Sequence, residues 1–111
     1  MPTTVELKAY ADALPPIYRD ILAAFPEIEP GRKAGYGLAF QTLAMHFANR
    51  RIPHGFGEVQ EACRRLAEKG FFDIRNEIFA HPTDLGEQLI SAISGRRAPA
   101  ARLPDLPQPT W

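Results

Sequence analysis

Apolar positions recur at helical spacing in five stretches of the chain, with two short apolar runs between the fourth and the fifth. Val5, Tyr10, Ala11 and Leu14 lie broadly on one side of a first helix, which Thr3 or Thr4 can cap. Pro15-Pro16 ends that helix, and proline suits the first turn of the next. Ile17, Ile21, Leu22 and Phe25 form the stripe of a second helix, broken by Pro26 and by Glu29-Pro30-Gly31. A third helix is expected from Gly35 or Gly37 to about Arg51, with Tyr36, Phe40, Leu43, Ala44 and Phe47 on one face. Leu38 and Met45 stand seven apart on the opposite face. Such a helix is either sandwiched inside the domain or carries a partner surface.

The run Ile52-Pro53-His54-Gly55-Phe56-Gly57 reads as a turn. A fourth helix follows over about 57–69, with Val59, Ala62, Cys63 and Leu66 as its buried stripe and Gly70 as a left-handed stop. Residues 71–74 and 78–80 are short strands joined at Arg75-Asn76-Glu77, where asparagine tolerates the positive φ of a tight hairpin turn. Thr83 caps a last helix. Asp84 and Glu87 fall near its positive end, and Leu85, Leu89, Ala92 and Ile93 face inward.

Composition adds bounds. The 111 residues make one domain over 1–95, followed by a Pro/Arg-rich extended tail over 96–111 with four prolines and no helical period. Trp111 is a large apolar group in that tail and is either an unremarkable end or an anchor on this chain or on a neighbouring one. The single cysteine, Cys63, excludes an internal disulfide and fits a reducing compartment. No apolar run approaches the ~20 residues of a membrane span, and the N-terminal segment lacks signal-peptide character, so a soluble cytoplasmic protein is expected.

The net charge of zero hides an uneven distribution. Residues 1–29 carry five acids and two bases, and 58–95 carry seven acids and four bases. Between them, residues 30–57 have no acid and four bases: Arg32, Lys33, Arg50 and Arg51. That basic segment either pairs with its neighbours or faces phosphate.

The stretch from Val59 through Lys69-Gly70-Phe71-Phe72 resembles the third helix and first wing strand of many bacterial winged-helix regulators. The stretch Phe79-Ala80-His81-Pro82-Thr83-Asp84-Leu85-Gly86-Glu87-Gln88-Leu89-Ile90 is similar to their second wing strand, which runs through a threonine cap into a final helix with an internal glycine. The resemblance covers roughly residues 15–94. It implies a mostly α, winged helix-turn-helix fold with a two-stranded hairpin wing and N- and C-terminal helices. It also implies a DNA-binding transcriptional regulator, dimeric because one small reading head gives little specificity. Two features depart from the pattern. The turn over 50–56 is long, and the early exposed positions of the fourth helix are Glu58, Gln60 and Glu61, whose carboxylates oppose a polyanion.

On this reading Arg64 and Arg65, Arg50 and Arg51, and Arg75 on the wing contact duplex DNA, with Gln60 as base-edge reader. The competing reading pairs Arg64 and Arg65 with Glu61 and Glu68 along their own helix. An interaction module that binds protein rather than DNA would instead use Leu38, Met45, Glu58, Glu61 and Trp111. A homodimer is expected on the N-terminal helix and the Leu38/Met45 face, clasped by the tail. His46, His54, His81 and Cys63 show no metal-ligand spacing, so no metal or cofactor is expected. No catalytic constellation stands out, and Gly31 to Gly37 reads as helix entry rather than a phosphate cradle.

Overall fold

Thr3 sets the start of the first helix, α1 (Thr4–Asp12): its hydroxyl accepts from the Glu6 N–H, and the Glu6 carboxylate reaches back to the Thr3 N–H. The computed structural model describes residues 2–95 and 105–111. The remaining elements in chain order are α2 (Pro16–Ile28), β1 (Leu38–Ala39), α3 (Phe40–Asn49), α4 (Phe56–Glu68), β2 (Phe72–Arg75), β3 (Phe79–Pro82) and α5 (Asp84–Ser94). The described residues form a mostly helical domain with a small antiparallel sheet in the order β1-β3-β2. Helices α1 and α2 both pack on α5, while α3 and α4 pack on each other and on α2. Phe25, Phe40, Phe47, Phe71, Leu66 and Leu89 are among the fully buried centre of this arrangement.

Two expectations are corrected. Pro26 does not break the second helix. Its missing N–H forfeits one bond near the end of α2, and the Glu29 N–H still bonds the Phe25 carbonyl at 3.1 Å beyond it. Burial of Ile21, Leu22 and Phe25 holds the last turn in place. The third helix starts at Phe40, not at Gly35 or Gly37. Gly35 has φ +84°, a left-handed conformation that no helix interior uses, and a Cβ on Gly37 would press into the His81 ring. The chain instead enters β1, where Leu38 pairs with Ala80 and Ala39 with Phe79, and the Phe40 N–H bonds the Ile78 carbonyl at 2.9 Å. The hairpin therefore gains a third strand.

The fourth helix and the hairpin follow the expected order. Gly70 (φ +89°) ends α4, with the Phe71 N–H on the Leu66 carbonyl and the Gly70 N–H on the Ala67 carbonyl, the paired bonds of a Schellman cap. The strands run one residue later than the sequence suggests, with Phe72 opposite Pro82 and Arg75 opposite Phe79. Asn76 (φ 52°) and Glu77 (φ 61°) both take left-handed conformations, and the Ile78 N–H closes on the Arg75 carbonyl, as in a type I′ turn. Thr83 ties the end of the sheet to both helices. Its hydroxyl accepts from the Gly86 N–H, donates to the Gly70 carbonyl at 2.6 Å, and so caps α5 against the stop of α4.

An ion pair inside the domain fixes the loop between α2 and β1. Arg32 forks onto both carboxylate oxygens of Glu87 at 2.8 and 2.7 Å, with side chains only 7% and 10% exposed. The same guanidinium bonds the Tyr36 carbonyl and lies 5.3 Å over the Phe25 ring, and Glu87 also accepts the Gly35 N–H. The His81 Nδ1, 3.1 Å from the Gly35 carbonyl, adds a second tie from β3 to the loop. Among the described residues no helix is long and apolar enough to cross a membrane. Residues 105–111 carry no helix or strand and lie back on the domain through Leu106 and Trp111. The rest of the expected tail, 96–104, lies outside the described residues.

Candidate nucleic-acid interface

Burial of Val59, Ala62, Cys63 and Leu66 at helical spacing turns one long edge of α4 outward, carrying Glu58, Glu61, Arg64, Arg65 and Glu68. Gln60 is half-buried at the margin of that edge. The hairpin continues from the end of α4 and packs against it, presenting Asp73, Arg75, Asn76, Glu77 and Ile78 to solvent. The fourth helix and the hairpin are thus side by side, as a reading helix and wing require. Arg50 and Arg51 stand apart from them, in the turn that follows α3.

Most of these arginines already have partners. Arg65 lies 3.5 Å from Glu61 one turn away, and Arg75 lies 3.1 Å from Asp73. Arg50 reaches Glu27 on α2 at 3.1 Å, and His46 shares the same carboxylate oxygen at 3.2 Å. All three arginines are at least half exposed, and such pairs contribute about 1 kcal/mol or less, so a phosphate can displace the carboxylate at small cost. Arg64 and Arg51 are exposed and make no ion pair among the described residues; Arg51 is held in a left-handed conformation (φ 59°). Glu58 is occupied locally. Its Oε1 accepts the Gly55 N–H at 3.3 Å, which places its charge at the positive end of α4. Counting outward groups on α4 and the hairpin, five acids (Glu58, Glu61, Glu68, Asp73, Glu77) face three arginines.

The residues expected to meet a partner chain divide. Leu38 is a correction: it is a residue of the strand paired with β3 and only 6% exposed, so its side chain offers nothing to a second molecule. Met45 remains 58% exposed on α3. Leu7, Ala11 and Leu14 are used up inside this chain's own core, so the expected dimer face on the first helix is reduced to Val5. Trp111 packs on its own chain, against Tyr18, Phe71 and Tyr10.

The clasp made by His54 and the exposure of Phe56 and Ile78 were not signalled by the sequence pattern. His54 Nε2 lies 2.8 Å from Asp20 Oδ2 and stands edge-on to the Phe47 ring, so it clasps the long turn to α2. Phe56 and Ile78 are exposed at the start of α4 and the tip of the hairpin. Cys63 is wholly buried, and desolvation pushes its thiol up to about 12, so it is a core residue rather than a nucleophile. Among the described residues no three His, Cys, Asp or Glu side chains come together as a metal set. No family model, curated protein or solved structure matches the chain.

Proposed function

We propose that this chain is a winged helix-turn-helix domain that binds double-stranded DNA, with α4 in the major groove and the β2–β3 hairpin as its wing, and that it serves as a cytoplasmic transcriptional regulator working as a homodimer. The observation that carries the reading is the element order α2-β1-α3-α4-β2-β3 together with the sheet order β1-β3-β2. That order sets a solvent-facing helix beside a hairpin with a type I′ tip. Arg64 and Gln60 then meet base edges, Arg75 reaches the flanking backbone, and Arg50, Arg51 and Arg65 meet phosphates. No catalytic group, metal or cofactor enters this scheme.

The charge balance sets its strength. Four phosphate contacts per copy correspond to a salt slope of about −3.6, a loss of roughly 150-fold between about 50 and 200 mM salt. The acids on α4 and the hairpin work against this, so a single copy binds weakly and pairing of two half-sites supplies the useful affinity. Fluorescence anisotropy on a labelled mixed-sequence duplex, repeated across salt concentrations, tests the reading; a flat response at low salt would overturn it.

A second reading keeps the scaffold and changes the partner. The excess of carboxylates on the α4 and hairpin surface, with Met45, Phe56 and Ile78 exposed, suits a protein carrying a basic patch. Substituting Glu58→Gln with Glu61→Gln separates the two. The glutamine at 58 keeps the oxygen that caps the helix, so the change is one of charge. DNA binding strengthens in the first reading. In the second, wild type shows no DNA binding and the double variant loses its protein partner.

A further inference from the structure

At the C-terminal end of α4, about 20 Å along the helix from Phe56, three aromatic side chains form a groove already filled by an extended segment. The segment is Asp105-Leu106-Pro107-Gln108-Pro109-Thr110-Trp111. Trp111 enters between Tyr18, with ring centroids 4.4 Å apart, and Phe71, nearly parallel at 6.2 Å, while Tyr10 closes the side edge-on at 6.5 Å. Leu106 packs against the same core. Lys69 spans the groove: its ammonium donates to the Gln108 carbonyl at 3.0 Å and the Thr110 hydroxyl at 3.3 Å, and stands 5.4 Å over the Trp111 ring.

This is the chemistry by which proteins hold proline-rich peptides. Prolines lack N–H donors and fix an extended backbone whose carbonyls stay free, so a receptor supplies aromatic slots and a donor rather than a strand edge. The groove is also incompletely satisfied. Among the described residues the buried Tyr10 hydroxyl has no hydrogen-bond partner, a cost carried by the wall of the groove.

We propose that the groove of Tyr10, Tyr18, Lys69 and Phe71 is a receptor for a Leu-Pro-x-Pro-x-Trp segment, and that its partner is a second copy of this chain offering residues 105–111 in exchange. The nine residues between Gly95 and Asp105 reach at most about 30 Å, which is ample to serve either the chain's own groove or that of an adjoining copy. Each copy then contributes Trp111 to its neighbour's site, and exchange keeps every contact of the closed monomer while joining two domains. Occupancy of the groove is independent of DNA binding, and the assay contains no DNA.

Trp111 is the only tryptophan in the sequence, so its emission reports the groove directly. Full-length Trp111→Ala leaves the slot between Tyr10, Tyr18 and Phe71 open and has no tryptophan signal. Titrated into a synthetic peptide of residues 103–111, it should shift the peptide's emission to the blue and raise its anisotropy saturably. Wild type, whose groove is filled, should need at least about tenfold more protein to raise the anisotropy of the same peptide carrying an N-terminal fluorophore, because a tethered segment competes at an effective concentration near millimolar. Sedimentation should show wild type shifting from monomer to dimer with concentration while Trp111→Ala stays a monomer. Lys69→Glu, which leaves the aromatic core intact, should move wild-type emission to the red and lower the dimer fraction. No saturable peptide binding by folded Trp111→Ala, or emission and mass unchanged in Lys69→Glu, overturns the receptor. A wild type that remains monomeric at millimolar concentration, where an adjoining copy's segment matches the tethered one, overturns the second copy as its partner.

Discussion

Replacing Glu87 by glutamine should be among the most damaging single-atom-scale changes this fold can suffer. The substitution keeps the shape of the side chain and one acceptor oxygen but removes the charge that faces Arg32. The guanidinium would remain where it is now, its side chain 7% exposed beneath the α2–β1 loop, without its counter-charge. Breaking a buried pair in this way costs about 3–5 kcal/mol, and the retained acceptor places Glu87→Gln near the lower end. Against a total stability of about 5–15 kcal/mol, that is a large share of what holds the domain folded. For a domain of this size it corresponds to a fall in Tm of roughly 10–20 °C. Urea unfolding followed by circular dichroism measures the change, and a double-mutant cycle with Arg32→Met isolates the coupling. The double variant Arg32→Met with Glu87→Leu should recover much of the loss, since two apolar groups leave no stranded charge. Full recovery is not expected, because the Gly35 N–H and Tyr36 carbonyl lose their partners, at about 1–3 kcal/mol each if they stay dry. Glu87→Gln within about 0.5 kcal/mol of wild type would refute the reasoning, since surface changes fall in that range.

Three further outcomes follow from local geometry. Gly86→Ala should cost about 1–3 kcal/mol in urea unfolding, because the new methyl would overlap the Phe71 carbonyl oxygen, whereas Gly57→Ala, which meets open space on α4, should be neutral or stabilising by about 0.5–1 kcal/mol. Glu77→Gly should stabilise by about 0.5 kcal/mol in the same assay: relief of the left-handed residue is worth about 1–2 kcal/mol, and the glycine's extra unfolded-state freedom returns about 0.5–1. The Cys63 thiol should resist thiol reagents at pH 8 until the chain unfolds. Because its folded pKa of about 12 exceeds the ordinary thiol value of 9.0, the unfolded state loses the proton first, so this group's contribution is constant below about pH 9 and falls as pH rises toward 12; comparing urea midpoints of wild type and Cys63→Ala over that range isolates it.

Where a feature depended on neighbours in sequence, it could be read from the chain alone. The α4 stripe, the Gly70 stop, the Asn76 turn and the Thr83 cap each rest on spacing within a few residues, and each appears in the fold. β1 was out of reach for the opposite reason. Two residues carry no periodicity, and Leu38 looked helical because it stands seven before Met45; only pairing with Ala80 makes it a strand. Pro26 shows tertiary burial overriding a local breaker. The acid-free segment over 30–57 was visible as a charge pattern, yet Arg32 finds Glu87 across 55 positions, a distance no local rule spans. Trp111 could be read equally as an anchor or as an unremarkable end, because its receiving groove is assembled from α1, α2 and the link between α4 and β2.

The most direct test of the DNA reading is a titration of labelled mixed-sequence duplex with wild type, Arg75→Ala and the double variant Glu58→Gln with Glu61→Gln, at low and moderate salt. Wild type should bind saturably at low salt and lose affinity with a log–log slope between about −2.7 and −3.6, as three or four phosphate contacts require. Arg75→Ala should weaken binding on every sequence alike, and the double glutamine variant should tighten it by about 3–10-fold, because two negative charges leave a surface that faces phosphate. Absence of wild-type binding at the lowest salt would contradict the account.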